Sequence, residues 1–472
     1  MTVYTIFLVV GLAALLLTAF RYFKARPSNW VVCFLQNFVG ALFIFSGFVK
    51  AVDPLGTSYK MHEYFEAFAQ EGGRSLWEYL ANFSTPFAII MIAAELFVGF
   101  MLLIGWKPRF TIAIIWWLTL FFTLLTGYTF LSGYGITKLF ILSSTVVLIF
   151  FASLALTENQ RTRKQLLIAS FVSLIALLVI GKFTSLFFTI PFAEAKMKVT
   201  DCGCFGDFIK LKPWETFYKD IILDIMIFVL VLSTSQIKRV FTGTINTVLV
   251  ASTAIASLAF CWYSTYENEP PIDFRPYAIG NNIPELRKVK KEAKVEMVFV
   301  YRSNKTGENK EFSYDDVMKG KMDYAEYDSM IERKDKVLDP GIPAKITNLR
   351  IENEEGLDLT DSIFAYPGYS LMVVAYNLKK STEAGFAPLN KLATVADESK
   401  VPFFGVCLND GGVEAFKERN LIKYEFYSAD ETPLKTILRS NPGLVLLKNG
   451  VVVNKWHYKH LPTADELKSY FR

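Results

Sequence analysis

Residues 87–106, FAIIMIAAELFVGFMLLIGW, contain one charged side chain, Glu95. An apolar helix of roughly 20 residues spans the hydrocarbon core of a bilayer, because each residue adds about 1.5 Å along the axis. The stretch therefore predicts a membrane-spanning helix with a carboxyl group near its middle. The composition agrees, since 52% of the 472 residues are hydrophobic and 42 are Phe. Such values favour a membrane protein over a soluble one.

Seven further apolar stretches raise the prediction to about eight spans. The sixth contains Lys182, and the seventh is the weakest because Lys219, Asp220 and Asp224 fall in it. The fold class predicted is a mainly α-helical polytopic bundle, followed by a soluble domain. The predicted spans are 3–20, 30–49, 87–106, 110–131, 139–156, 166–190, 214–232 and 241–262.

Basic residues are concentrated in alternate loops and set the expected orientation. Positively charged loops stay in the cytoplasm. The expected cytoplasmic residues are Arg21, Lys24, Arg26, Lys107, Arg109, Arg161, Arg163, Lys164, Lys238 and Arg239. This assignment predicts both termini outside the cytoplasm, which in a bacterium means an inner-membrane protein with periplasmic ends. The net charge of +5 is small and not gathered in one patch, so nucleic acid is not an expected partner.

Cysteine spacing supplies the main candidate for chemistry. The chain has five cysteines, and Cys202 and Cys204 are the only close pair. They precede the seventh span on the non-cytoplasmic side, where thiols can be oxidised. A disulfide across one residue is strained and therefore easily reduced, and Gly203 gives the backbone the freedom such a ring needs. We predict a redox pair, with a membrane quinone or a partner thiol exchanging its electrons. A static loop staple remains the alternative.

Polar residues inside spans are the second group of candidates. Glu95 lies near mid-bilayer, where an isolated charge is costly, so it should be protonated, paired or facing a cavity. Lys50 and Lys138 lie nearer the outer ends of their spans and Asp224 lies deeper in the seventh; any of the lysines, Lys182 included, could pair with Glu95. No His, Cys and carboxylate spacing matches a zinc site, and no metal is predicted.

Residues 265–472 predict a soluble α/β domain behind a linker. We interpret 265–337, with a strand at 295–301 and a charged stretch after it, as a linker and irregular segment. Periodicity over 338–472 predicts a strand, helix, strand, helix, Asn-Gly hairpin and helix. The expected positions are 370–376, 387–398, 401–407, 413–419, 444–456 and 464–470.

This order of elements resembles the thioredoxin fold. Asn441, Pro442 and Gly443 resemble the segment that carries that family's cis-proline, which gives Pro442 a structural role. Active thioredoxins have Cys-x-x-Cys after the first of these strands, but residues 377–386 contain no cysteine. The resemblance therefore implies a thioredoxin-like domain that binds a partner without exchanging disulfides. Cys407, in an apolar strand, is expected to be a buried small residue.

The membrane part, 1–264, resembles two related families. SGFVKAVDP at 46–54, with Glu95 and LLIG at 102–105, resembles the DoxX superfamily. CGCFG at 202–206, followed by Trp214 and Lys219, resembles the MauE branch, which is associated with maturation of disulfide-rich periplasmic proteins. The resemblance covers a core of about 30–235.

Two functions compete. The first is a membrane redox protein that supports thiol–disulfide chemistry, with a protein client outside the cytoplasm, lipid around its spans and a quinone as its candidate cofactor. The second is a non-catalytic envelope scaffold whose thioredoxin-like domain docks a client or partner complex. A transporter is a weaker hypothesis, because no inverted repeat or pair of broken helices is evident.

Overall fold

The computed structural model describes residues 2–24, 26–134, 197–199, 203–209, 211–241, 243–327, 329–339, 341–409 and 411–471. The chain forms two compact units, Met1–Phe274 and Arg275–Arg472. The predicted spans at 139–156 and 166–190 lie outside the described residues, as do Lys138, Lys182 and Cys202.

The first unit is helical. Five of its described helices, α1, α2, α5, α6 and α8, are long and apolar enough to cross a membrane. The chain is therefore a multi-pass membrane protein, and these five helices coincide with predicted spans. The predicted seventh span corresponds to the helix α7. It is not among the five membrane-crossing candidates because it contains too many charged residues. The helices are α1 (Val3–Lys24), α2 (Trp30–Val52), α3 (Pro54–Glu71), α4 (Arg74–Ala81), α5 (Ser84–Ile104), α6 (Pro108–Ser132), α7 (Pro213–Leu232) and α8 (Gly243–Tyr266).

The segment between α2 and α5, which contains no predicted span, is mostly helical. Asp53 ends α2, and its side chain accepts a hydrogen bond from the backbone N–H of Gly56 at 3.2 Å, which caps α3. Pro54 occupies the first turn of α3, where a missing N–H costs nothing. Gly72 and Gly73 then separate α3 from α4 with positive φ angles.

Basic side chains gather at one end of the bundle. Arg21 donates hydrogen bonds to Gln36 at 2.6 Å and to the backbone carbonyl of Leu103, near the end of α5. Lys238 donates to the carbonyl of Arg26 at 2.8 Å. The turn at 203–208, which carries Cys204, lies at the opposite end, where α2 ends and α7 begins. These contacts group Arg21, Arg26 and Lys238 at one end, while the orientation of the chain in the membrane stays a prediction.

The second unit contains two sheets and several short helices. The larger sheet has the order β4-β7-β6-β5-β8-β9; β5, β6 and β7 are parallel neighbours, and β8 is antiparallel to β5 and β9. Its strands are β4 (Ile351–Glu352), β5 (Tyr369–Ala375), β6 (Phe403–Cys407), β7 (Phe426–Ala429), β8 (Gly443–Lys448) and β9 (Val451–His457). The described helices of the unit are α9 (Ile283–Arg287), α10 (Tyr314–Met318), α11 (Thr360–Phe364), α12 (Phe386–Glu398), α13 (Val413–Arg419), α14 (Glu431–Ile437) and α15 (Ala464–Phe471).

Hydrophobic side chains cover both faces of this sheet. Alternate residues of β5 point to opposite faces. Met372 packs in a core with Leu434 of α14, whereas Val373 packs in the other core with Leu389 of α12. Every strand and helix predicted from 370 onward is present, including the Asn-Gly hairpin. The unpredicted strands and α-helices of 338–472 are β4, β7, α11 and α14.

The charged segment interpreted as a connector is regular structure. Its three antiparallel strands, in the order β2-β1-β3, are β1 (Lys294–Arg302), β2 (Asn309–Ser313) and β3 (Ser329–Asp339). The strand predicted at 295–301 is β1. The other two strands were not predicted because charged side chains occupy half of their positions and hide the alternation of apolar residues.

Candidate functional site

A buried ion pair joins α2 to α5. Lys50 Nζ lies 2.6 Å from Glu95 Oε1, and the side chains are 4% and 2% exposed. Ser46 Oγ lies 3.2 Å from Glu95 Oε2. The helices can approach this closely because Gly47 has no side chain. A Cβ at this position would lie only 3.2 Å from Glu95 Cβ. Of the lysines considered from sequence, Lys50 is therefore the partner of Glu95, and Phe122 adds a cation–π contact to the Lys50 ammonium at 4.6 Å.

A second polar group lies on α7, facing α6. Lys219 and Asp220 form an ion pair, and Asp220 Oδ2 lies 3.0 Å from Thr126 Oγ1. Asp224, one turn further on, has Oδ2 2.7 Å from Thr123 Oγ1. Sequence reasoning missed the two threonines. The available signal was the spacing of Thr119, Thr123, Thr126 and Thr129, which puts four hydroxyls along one face of α6.

Cys204 lies beside both ion pairs. Its backbone carbonyl is 3.1 Å from Ser46 Oγ, the same hydroxyl that contacts Glu95. The next residue, Phe205, is 2% exposed and its ring lies 5.6 Å from Lys219 Nζ. Gly203 adopts φ +59°, a conformation that disfavours other residues, and its Cα faces Lys60 of α3. A tight turn thereby places one thiol between four charged side chains.

The surroundings hold the Cys204 thiol in its protonated form. Burial raises the pKa of Cys204 to about 11, although the charge of nearby Lys219 opposes this shift. A thiolate is the nucleophile in thiol exchange, so a base must take the proton. Glu95 and Asp220 line the same cavity as Cys204, so two carboxyl groups lie near this thiol.

A second cavity lies on the other side of Cys204. It contains about 670 Å³ of empty space including its open mouth, and it is formed by α3, α4, α5 and α6 with the 203–204 turn. Six aromatic rings line it: Tyr64, Phe65, Phe68, Trp77, Phe121 and Phe122. Lys50, Phe122 and Cys204 line both cavities, so the polar and apolar spaces meet at these three residues.

The predicted site residues are only partly brought together. Lys50, Glu95 and Cys204 share one cavity, and Asp224 lies one helical turn beyond Asp220. Cys202 and Lys138 fall outside the described residues. Among the described residues, no group of three or more His, Cys, Asp or Glu could hold a metal ion.

Pro442 belongs to the second unit. The Asn441–Pro442 peptide bond is cis. Asn441 accepts a backbone hydrogen bond from Thr382 at 3.0 Å, and its side chain donates to the Asn377 carbonyl at 2.8 Å. The loop that follows β5 is thus held against the Pro442 segment. Cys407 is 1% exposed and packs in the sheet core, as expected from its apolar strand.

Comparison with known proteins supports part of the sequence interpretation. Residues 28–138 match the family model described as "Methylamine utilisation protein MauE". The matched part runs from just before α2 to beyond α6, and so includes Lys50 and Glu95. No curated protein and no solved structure matches the chain. Residues 28–138 are therefore MauE-like, while the DoxX and thioredoxin resemblances remain predictions.

Proposed function

We propose that this protein is a membrane redox protein that supports thiol–disulfide chemistry, or the maturation of envelope proteins, through Cys202 and Cys204. The observation that carries the proposal is the position of Cys204, between the Lys50–Glu95 and Lys219–Asp220 pairs. Buried charges are expensive in a bilayer and are retained where they have a function. Here they surround a thiol.

The proposed reaction is reversible closure of a disulfide between Cys202 and Cys204. Two S–H bonds break, one S–S bond forms, and two electrons and two protons leave the pair. A disulfide in a partner protein would accept both and become two thiols, or a membrane quinone would accept both and become a quinol. Glu95 or Asp220 would receive the Cys204 proton, because thiol exchange proceeds through the thiolate.

The family match supports this proposal, because residues 28–138 are MauE-like and the MauE branch is associated with maturation of disulfide-rich periplasmic proteins. We further propose an inner-membrane location with both termini periplasmic. The charge bias supports it, and so does the grouping of Arg21 and Lys238 at the end of the bundle opposite Cys204. The thiol would then face an oxidising compartment.

The second unit is proposed to be a thioredoxin-like module that lacks the redox cysteines. Its sheet, with parallel β5 and β6 beside the β8–β9 hairpin, supports that assignment. The loop 377–386 contains no cysteine. This absence favours the alternative function, a non-catalytic envelope scaffold in which the module binds a client or partner complex.

Cysteine variants separate the two functions. A redox pair acts as one unit, so Cys202→Ser, Cys204→Ser and the double variant should lose function to about the same extent. Thiol trapping in membranes should show the wild-type pair changing between oxidised and reduced forms. Cys33→Ser and Cys407→Ser are the controls and should leave function unchanged. Normal client disulfides in all three pair variants would reject the redox proposal and favour the scaffold.

A further inference from the structure

The apolar cavity beside Cys204 has one polar atom that lacks a partner. Thr57 lines this cavity and is 6% exposed, and its hydroxyl has no hydrogen-bond partner among the described residues. An unpaired buried hydroxyl costs about 1–3 kcal/mol. Such a cost is commonly accepted where a ligand supplies the missing partner.

The walls of the cavity indicate the shape of that ligand. Phe65 and Trp77 are stacked with ring centroids 6.0 Å apart, and the Phe68 ring lies 5.1 Å from Trp77. Flat aromatic walls favour a planar ring. An acyl chain would fill the space but would leave the Thr57 hydroxyl unpaired. A planar ring with carbonyl groups can stack on the aromatic walls and accept a hydrogen bond from the Thr57 hydroxyl.

We propose that this cavity binds the headgroup of a membrane quinone, with a ring carbonyl accepting a hydrogen bond from Thr57. Cys204 lines the same cavity, so a quinone there would be next to the thiol. The role of the quinone as electron acceptor rests on the proposed function, although its binding does not. Two thiols would close to one disulfide, and their two electrons and two protons would convert both quinone carbonyls to hydroxyls.

Binding is tested with the full chain in lipid nanodiscs and decylubiquinone as the probe. Quinones quench tryptophan fluorescence, and Trp77 lines the cavity. Titration should give saturable quenching that Trp77→Phe removes. Trp117→Phe is the control, because Trp117 is exposed on α6 and should not contribute to the saturable component. The cysteines are replaced by Ser in a parallel series so that electron transfer cannot affect the signal.

Two substitutions test the position of the site. Met91 lines the cavity, so Met91→Trp should fill it and weaken binding about tenfold or more. The neighbouring Ile90 is 63% exposed on the outer side of α5, and Ile90→Trp should change the affinity less than about twofold. Equal effects of the two variants would place the ligand elsewhere.

Thr57→Val tests the hydrogen bond itself. It should weaken decylubiquinone about fivefold by removing the donor, and leave binding of decylbenzene unchanged. It should also raise the melting temperature of the ligand-free protein, because an unpaired buried hydroxyl is removed. A Thr57 that does not contact the ligand would leave the affinity for both compounds unchanged. Absence of saturable binding, or equal binding of decylbenzene and decylubiquinone, would overturn the proposal. Quinone binding without oxidation of the cysteines would instead count against the proposed function alone.

Discussion

The buried ion pair of Glu95 and Lys50 should affect the stability of the first unit. It is paired with Lys50 inside the bundle, and removing one partner of a buried pair leaves an uncompensated charge. We expect Lys50→Met to lower the free energy of unfolding by about 3 kcal/mol. The double variant Lys50→Met/Glu95→Leu should recover most of that loss. Thermal unfolding in detergent measures both.

Function should depend on the Glu95 carboxylate itself. Glu95→Gln keeps the shape but leaves Lys50 unpaired, so it should lower the melting temperature as Lys50→Met does, and it should also abolish thiol cycling in the protein that remains folded. Glu63→Gln is the control, because Glu63 pairs with Lys60 at the partly exposed surface and such pairs contribute about 0–1 kcal/mol. Full activity in Glu95→Gln would limit Glu95 to a packing role.

Cys204 should be alkylated slowly at neutral pH. Its pKa is raised from 9.0 to about 11, so its thiolate fraction in the folded protein stays small until the pH approaches 11. Iodoacetamide labelling followed by mass spectrometry should show a rate that keeps rising between pH 9 and 11. In unfolded protein the rise should occur near pH 9. Identical profiles in both states would show that burial does not control this thiol.

At the scale of elements, glycines set the distance between α2 and α5. A Cβ on Gly99 would meet the carbonyl oxygen of Gly40 at 2.9 Å, and a Cβ on Gly40 would meet Leu103 at 2.8 Å. Gly99→Ala should therefore separate the helices, weaken the Lys50–Glu95 contact and lower the melting temperature. Small residues at such crossings allow close backbone packing.

Gly11→Ala is the matched control for that substitution. Gly11 is also helical, but its added Cβ would meet Phe38 at 3.9 Å, an ordinary contact. Helix propensity favours Ala over Gly by about 1 kcal/mol, so Gly11→Ala should be neutral or stabilising. A similar melting temperature for Gly99→Ala and Gly11→Ala would mean that the crossing tolerates a methyl group.

The sequence predicted elements where one physical signal dominated. Long apolar runs predicted the five described spans, a short apolar run predicted β5, and an apolar run next to the Asn-Gly turn predicted β8. The helices α3 and α4 were not predicted because residues 50–80 mix charged and apolar side chains. Their helical form depends on packing against the membrane helices α5 and α6. The sequence offered several lysines as the partner of Glu95. Which of them pairs with Glu95 depends on how α2 and α5 pack, and this packing cannot be deduced from the sequence.

At the scale of the whole molecule, the arrangement of basic ends predicts accessibility. Single cysteines replacing Lys238 and Glu308 should react oppositely with a membrane-impermeant maleimide added to intact spheroplasts. Lys238→Cys should be protected until the membrane is permeabilised, and Glu308→Cys should be labelled at once. Labelling of Lys238→Cys from outside would reverse the orientation and place the thiol pair in the reducing compartment.

The order in which the chain is synthesised gives the α2–α5 pair another consequence. Residue 50 leaves the ribosome before residue 95, so Lys50 is already in the bilayer when the apolar run containing Glu95 arrives. A lone acidic side chain at mid-span adds a few kcal/mol to the cost of insertion. By offering an ammonium group and a glycine-lined surface, α2 can lower that cost for α5. We therefore expect the two helices to pair early in assembly.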